Sequence, residues 1–350
     1  MNLANSNMAA SFFTLTRSLK SLQKLQHNVS VQRRFSRRTI KTLTVNAGST
    51  TLKYSLYDVD RKAGASAIES KLIASGWIDN VGTSENGSVT HNNSLVFQDE
   101  PIPSHTAGFA RLLDVLKEVE KLETSEIQVV GHRVVHGGST FAKPTVITSD
   151  VLDEIKQLSS LAPLHNPPAA SGIEASQTAF PSATQVAIFD TAFHATMPPT
   201  SYRYAIPKDL YKDHGIRKYG FHGTSYQYVL QTTAEFLRKN SSDLNLIIMH
   251  LGGGASMCCI KNGQSIDTTM GLTPLEGLVM ATRSGDVDPG IYDYLLKNGY
   301  SEDKIYAILN KESGLAGLSS RSSDMRVIKD GAKEGNIDCQ LAREVFSERW

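Results

Sequence analysis

Val45-Asn46-Ala47-Gly48-Ser49-Thr50-Thr51-Leu52-Lys53-Tyr54 is the stretch on which the reading of this chain turns. The apolar/polar alternation over residues 39–46 (T-I-K-T-L-T-V-N) predicts a strand. Residues 52–58 continue it as a hairpin partner across the turn Ala47-Gly48-Ser49-Thr50. A strand that runs into a turn of small residues exposes backbone N–H groups, and the hydroxyls of Ser49 and Thr51 add donors. Such a nest holds phosphate oxygens. Asn46 at the strand end can reach a metal ion or a phosphate, and Lys53 adds a positive charge. Taken alone, the stretch is equally a plain hairpin.

The pattern returns two hundred residues on. Residues 244–250 (L-N-L-I-I-M-H) form an apolar run that turns at Leu251-Gly252-Gly253-Gly254 into a second run over 255–260. Successive glycines allow a ligand to approach the backbone closely. No Gly-Lys-Ser/Thr follows and no G-x-G-x-x-G spacing is present, so neither a Walker loop nor a dinucleotide fingerprint is met. Between the two hairpins lie predicted strands at 71–78, 127–132 and 184–190 and predicted helices at 108–122 and 224–239. Further helices are predicted at 291–297 and 302–309, and the polar stretch 80–99 reads as an exposed loop with a weak strand at 95–98. Two strand-turn-strand units, each followed by helices, predict an α/β fold with mixed sheets that arose by duplication. Two equivalent Gly turns describe an interdomain cleft that grips a polyphosphate from both sides, with His250, Gly252, Gly253 and Gly254 on the second side.

Two arginines have unusual company. Arg133 stands in Gly131-His132-Arg133-Val134-Val135-His136-Gly137-Gly138, just past a buried strand, and Arg283 stands in Ala281-Thr282-Arg283-Ser284-Gly285-Asp286. Beside phosphate turns they read as anion clamps, because guanidinium pairs bidentately with carboxylate and phosphoryl oxygens. His165 and His222 each sit in a turn-forming context, and Asp190 closes a buried strand at the end where open α/β sheets place ligand-binding groups. His132 and His136 run into Gly137-Gly138 rather than along a helix, which argues against zinc.

The 350 residues carry a net charge of +1, but the charge is uneven: no Asp or Glu precedes Asp58. The same stretch holds Arg17, Lys20, Lys24, Arg33, Arg34, Arg37 and Arg38, with Phe12, Leu15, Leu19 and Leu22 at helical spacing. An Arg-rich, acid-free amphipathic arm over residues 1–38 has the composition of an organelle transit peptide. Arg33-Arg34-Phe35-Ser36 resembles a mitochondrial processing site; the plastid, or the cytoplasm if the arm carries no address, are the alternatives. Cleavage after Phe35 removes five of the 36 basic residues and leaves 31 against 35 acids. The basic arm is therefore no sign of nucleic-acid binding. No apolar run approaches the roughly 18–20 residues of a membrane-spanning helix. Three cysteines without a C-x-x-C pair give no disulfide framework.

The strings GHRVVHGG, LAPLHNP, YGFHGTS, TPLEGL and TRSGDVDP, in this order over about residues 41–328, resemble the acetate kinase family of short-chain carboxylate kinases. The resemblance implies the duplicated actin-like ATPase fold shared with sugar kinases and Hsp70, a domain over 39–190 and a nucleotide-binding domain over 191–350. It implies ATP/ADP and acetate/acetyl phosphate as substrates, Mg²⁺ as cofactor and a homodimer as the assembly. By the same resemblance Asn46 is magnesium-associated, Ser49, Thr51 and Lys53 belong to the first phosphate turn, and Arg133 and Arg283 bind the carboxylate and the transferring phosphoryl group. His222 contacts that phosphoryl, His165 is a second active-site histidine, and Asp190 holds the arginines. Val135, Leu164, Phe221 and Pro274 form a small apolar acyl pocket, and Asp324 and Arg326 lie on the nucleotide side.

The chain departs from the family pattern at Gly253, where Asn is usual in H-L-G-N-G, and this leans slightly toward propionate or butyrate as acceptor. The family's late Gly-Gly-Ile-Gly-Glu-Asn adenosine loop is not found after Arg326, which implies an incomplete nucleotide-binding domain. A catalytically dead fragment that only binds a partner is therefore the competing reading.

Overall fold

The computed structural model describes residues 39–60 and 69–349; the basic arm and its processing motif lie outside them. The chain divides into two compact units on either side of the Ala192–Phe193 link. The first unit is built on an eight-stranded mixed sheet in the order β5-β4-β3-β2-β1-β6-β8-β7. Its strands are β1 Ile40–Ala47, β2 Thr51–Asp60, β3 Glu69–Asp79, β4 Asn86–His91, β5 Ser94–Pro101, β6 Ile127–Val134, β7 Thr145–Val146 and β8 Thr184–Phe189. β1 through β5 form antiparallel neighbours, whereas β6 runs parallel to β1 and to β8. β1 is covered on both faces, with residues 42–45 all buried, which is why its alternation carries Thr42 and Thr44 inside.

The helix His105–Glu118 starts at Ser104, whose hydroxyl accepts from the Ala107 N–H. It buries Phe109, Leu112, Val115 and Leu116 in one core with Leu43, Leu52, Leu56 and Phe180. Each such side chain stabilises by about 1.5–3 kcal/mol. The helix Asn166–Ala179 serves two cores, Ala175 in that one and Ala169, Ala170 and Ile173 in a second with Phe141 and Phe189. It comes so close to β1 that a side chain on Gly172 would strike the Ala47 methyl.

The stretch 80–99, expected as a loop with a weak strand at 95–98, is a second hairpin in which β5 contains that strand and β4 was not expected. Gly87, Val89 and His91 face inward, and Asn92 and Asn93 turn the chain with φ of 47° and 64°. Three inward residues among polar neighbours are enough to bury one face, and Asn tolerates the left-handed conformation that such turns need. His91 also satisfies the buried Tyr54 hydroxyl at 2.7 Å through Nδ1 and meets Glu120 at 2.7 Å through Nε2.

The second unit carries a three-stranded antiparallel sheet of β9 Leu246–Leu251, β10 Ala255–Lys261 and β11 Gln264–Thr268. The β1-β2-β3 and β9-β10-β11 meanders repeat the same order, as a duplication requires. The helix Gly223–Leu237 packs Tyr226, Leu230 and Ala234 on Ile248, Cys258 and Ile260 of this sheet. Later helices, Gly314–Ser319, Met325–Lys333 and Ile337–Glu348, share their own core of Leu315, Ile328, Cys339 and Ala342. No helix of the described residues is long and apolar enough to cross a membrane.

Candidate active site

In the first unit the expected residues gather at one end of β1 and β6. Asn46 and Lys53 are partners across the β1–β2 ladder, so their side chains share a face. The turn between them is closed by the Gly48 N–H on the Thr51 carbonyl at 2.8 Å, and it leaves Ser49 and Thr50 exposed. His105 Nε2 meets the Gly48 carbonyl at 2.9 Å and ties the turn to the helix behind it. Arg133 lies on the neighbouring strand β6. Its Nε donates to both Asp190 oxygens at 3.2 and 3.0 Å, its Nη2 to Oδ2 at 2.6 Å, and its Nη1 reaches the Asn46 amide oxygen at 3.5 Å. The Asp190 side chain is 1% exposed and that of Arg133 18%. Burial works against the guanidinium charge, but the charge and hydrogen bonds of Asp190 outweigh it and leave Arg133 above its ordinary value. The pair is an arginine already neutralised and aimed before any anion arrives.

The Gly-rich segment after Arg133 is anchored by residues that sequence reasoning missed. Asn166 accepts from the His136 N–H at 3.1 Å and donates back to the His136 carbonyl at 3.0 Å, and Thr191 accepts from the Gly137 N–H at 3.0 Å. Asn166 stood inside LAPLHNP without an assigned role; the signal was there, but only a tertiary partner gives it meaning. These bonds set Val135, which is buried, beside the segment carrying Leu164, which is 39% exposed, and His165, which precedes the helix Asn166–Ala179.

In the second unit the Gly turn, His222 and Arg283 come together. A Cβ added to Gly254 would lie 3.3 Å from Arg283 Nη1 and 3.3 Å from His222 Nε2. The glycine is thus what lets the Arg283 and His222 side chains approach the turn. His222 takes φ 60° at the start of the helix Gly223–Leu237. Its Nδ1 is 2.8 Å from the Ser256 hydroxyl, and its ring stacks on His250 at 4.0 Å. His250 is itself fixed by Ser225, 2.9 Å from its Nδ1. Arg283 Nη1 donates to the Pro274 carbonyl at 3.0 Å, and the Ala281 N–H donates to the Gly253 carbonyl at 3.0 Å, which joins the arginine loop to the Gly turn. Gly253 itself faces open space. Phe221 is buried directly before His222.

Not every expected residue joins these groups. Of the four apolar pocket residues, Val135 and Leu164 belong to the first unit, Phe221 and Pro274 to the second. Asp324 caps the helix Met325–Lys333 through the Arg326 N–H at 2.8 Å, and the Arg326 guanidinium closes back on it at 2.6 Å. The side-chain and backbone bonds of Arg326 hold the Asp324 carboxyl at about 2. Burial pushes the Cys258 thiol up to about 12, so it is packing material rather than a nucleophile. Among the described residues no cluster of three or more His, Cys, Asp or Glu could hold a metal ion. Asn46 offers one neutral oxygen, a donor set that suits a hard cation arriving with phosphates and not a zinc cage.

A duplicated α/β fold with a charge-neutralised arginine in one unit and a histidine–arginine pair on a Gly turn in the other defines a phosphotransferase. The acetokinase family model matches residues 41–350, and the chain belongs to that family. The acetate kinase of Flavobacterium johnsoniae is 46% identical over 308 residues, 87% of this chain and 75% of that one. Acetate kinase 1 of Lactococcus lactis is 45% identical over 315 residues, covering 88% and 77%. Among solved structures, Porphyromonas gingivalis acetate kinase superposes with a TM-score of 0.79 at 39% identity, over 89% of this chain and 77% of that one. A propionate kinase from Francisella tularensis gives 0.80 at 42% identity, over 89% and 78%.

Proposed function

We propose that this chain transfers the terminal phosphoryl group of ATP to acetate and runs the same reaction in reverse from acetyl phosphate and ADP. The observation that carries the reading is the convergence of Arg283 Nη1 and His222 Nε2 on Gly254. A carboxylate acceptor is already ionised at neutral pH, so no strong general base is needed. Its oxygen attacks phosphorus, the new C–O–P link forms, and the bond to the ADP oxygen breaks. The obstacle is that two anions must meet, and the remedy is positioned positive charge.

Each side chain has a part fixed by its hydrogen bonds. Arg133 spends its Nε edge on Asp190 and one Nη1 hydrogen on Asn46, which leaves the other Nη1 hydrogen and the outer Nη2 hydrogen for the carboxylate or the phosphoryl oxygens. With Ser256 on Nδ1, the His222 ring is oriented so that Nε2 can face the phosphoryl group. Arg283, held by the Pro274 carbonyl, adds a second guanidinium. Ser49, Thr51, Lys53, Gly252, Gly253 and Gly254 serve the phosphates, and Asp324 and Arg326 the nucleotide side. A divalent cation, Mg²⁺ in this reading, would be held through Asn46 and would offset phosphate charge when bound with ATP.

Purified protein with ATP, Mg²⁺ and acetate in the presence of hydroxylamine should yield acyl hydroxamate. None from folded protein overturns the reading in favour of a binding subunit. Propionate and butyrate belong in the same assay, since one methylene in an apolar pocket is worth only about 1–3 kcal/mol of discrimination. The similarity to a propionate kinase supports that alternative acceptor. We propose further that residues 1–38 direct import into the mitochondrion; a fluorescent fusion of Met1–Thr42 that stays cytosolic excludes it. The family resemblance supports a homodimer, which sedimentation of the protein as a monomer would refute.

A further inference from the structure

The turn over residues 271–277 bonds to the Arg283 side chain and to the backbone just before His222 without containing either residue. The Gly271 carbonyl accepts the N–H groups of Tyr219 at 3.0 Å and Gly220 at 3.2 Å, fixing the strand of chain that ends in Phe221 and His222. The Pro274 carbonyl accepts from Arg283 Nη1 at 3.0 Å. At the far end, the Gly277 N–H donates to the Asp286 carboxylate at 2.8 Å and the Asp286 N–H donates to the Gly277 carbonyl at 2.9 Å, so the Arg283 loop is closed on the turn a second time.

What holds the turn in shape is a pair of side chains from outside the expected site. The Tyr204 hydroxyl accepts from the Leu272 N–H at 2.9 Å and donates to the Glu276 carboxylate. One phenol therefore bridges the two ends of the turn. The knot is tight: a Cβ on Gly271 would overlap both the Tyr204 hydroxyl and the Glu276 carboxylate. Burial and the Glu276 hydrogen bond both raise the Tyr204 phenol above its ordinary value, so it remains a donor at working pH.

We propose that Tyr204 and Glu276 are positioning residues that set Arg283 and His222 jointly, through the turn, for phosphoryl transfer. Both act through backbone carbonyls and touch no reacting atom. The proposal rests on the kinase reading above, and its test keeps the two apart. Tyr204→Phe removes the donor and Glu276→Ala the acceptor, whereas Glu276→Gln retains an oxygen for the phenol.

Acyl phosphate formation should fall about tenfold or more in kcat in the first two variants, because misplacement of a catalytic group by an ångström costs on the order of 100-fold. The KM for ATP and acetate should stay within about threefold, and Glu276→Gln should recover most of the loss. On an Arg283→Ala background Tyr204→Phe should add little, since residues acting as a unit are non-additive. A readout free of turnover is phenylglyoxal modification of Arg283 followed by mass spectrometry, which should accelerate several-fold in Tyr204→Phe and Glu276→Ala. Unchanged modification, or a kcat unchanged per folded molecule, overturns the proposal. A wild-type protein that makes no acyl phosphate overturns the kinase reading instead, and the modification rate alone then decides whether the knot holds Arg283.

Discussion

The β1–β2 and β9–β10 hairpins occupy the same place in the two units and yet meet different surroundings. β1 has β2 on one side and parallel β6 on the other, and its residues 42–45 are all buried. β9 pairs with β10, and its Ile247, Met249 and Leu251 are 68%, 50% and 46% exposed. The arginines differ in kind as well. Arg133 is fixed by the full charge of a buried carboxylate just past the end of β8, whereas Arg283 sits in a loop with its Nη1 on the Pro274 carbonyl. A duplicated fold thus supplies two turns of one design, but the positive charge beside each is held by unlike means. One arginine is bonded to a buried carboxylate, the other to a carbonyl of a turn.

That contrast can be broken most severely at Asp190. In Asp190→Ala the Arg133 charge loses its buried partner, and urea melting should show a loss of about 3–5 kcal/mol, with activity lost alongside. Arg283→Ala should leave stability nearly intact while kcat falls about 10²–10³-fold, the usual cost of one donor to the developing charge. A melting loss equal to that of Asp190→Ala would deny the difference between the two arginines.

Acid should act on the first unit through His132, which is wholly buried and hydrogen-bonded to Gln185 at 2.7 Å. Burial lowers it from 6.5 to about 4, against the Gln185 bond. The fold holds the neutral ring, so its stability is complete above pH 6.5 and declines as pH falls toward 4. The decline amounts to about 3 kcal/mol over that window. His132→Gln should flatten the slope in pH-dependent melts. The smallest effect is expected at Gly253, whose added side chain would meet nothing within 4 Å. Gly253→Asn should change stability by no more than about 0.5 kcal/mol and lower the KM for ATP. A raised KM would show that the turn needs glycine there.

The two hairpins were legible because strand alternation and glycine punctuation are local signals. The helix Asn166–Ala179 was not: Pro167 and Pro168 open it, and its inward face is mostly Ala, Gly and Ser, with Ile173 the one large apolar residue instead of a stripe of them. It is held by close approach to β1, which no periodicity reports. Strand β4 hid for the opposite reason, since its one buried face is short and set among polar residues. For the site, Arg133, Asp190, His222 and Arg283 were identifiable from the strings around them. The groups that place them, Asn166, Thr191, Ser256, Tyr204 and Glu276, act through contacts distant in sequence. Asp324 and Arg326 illustrate the converse, because their mutual cap is a local interaction that the sequence pattern alone did not suggest.

The proposed kinase activity, with Arg133 and Arg283 each required for it, is tested most directly in the reverse direction. ATP formed from ADP and acetyl phosphate can be followed by luciferase in the wild type, Arg133→Ala and Arg283→Ala. The account predicts steady ATP production by the wild type and its loss, by at least about 100-fold, in each single variant. Wild-type turnover that either variant retained in full would contradict it.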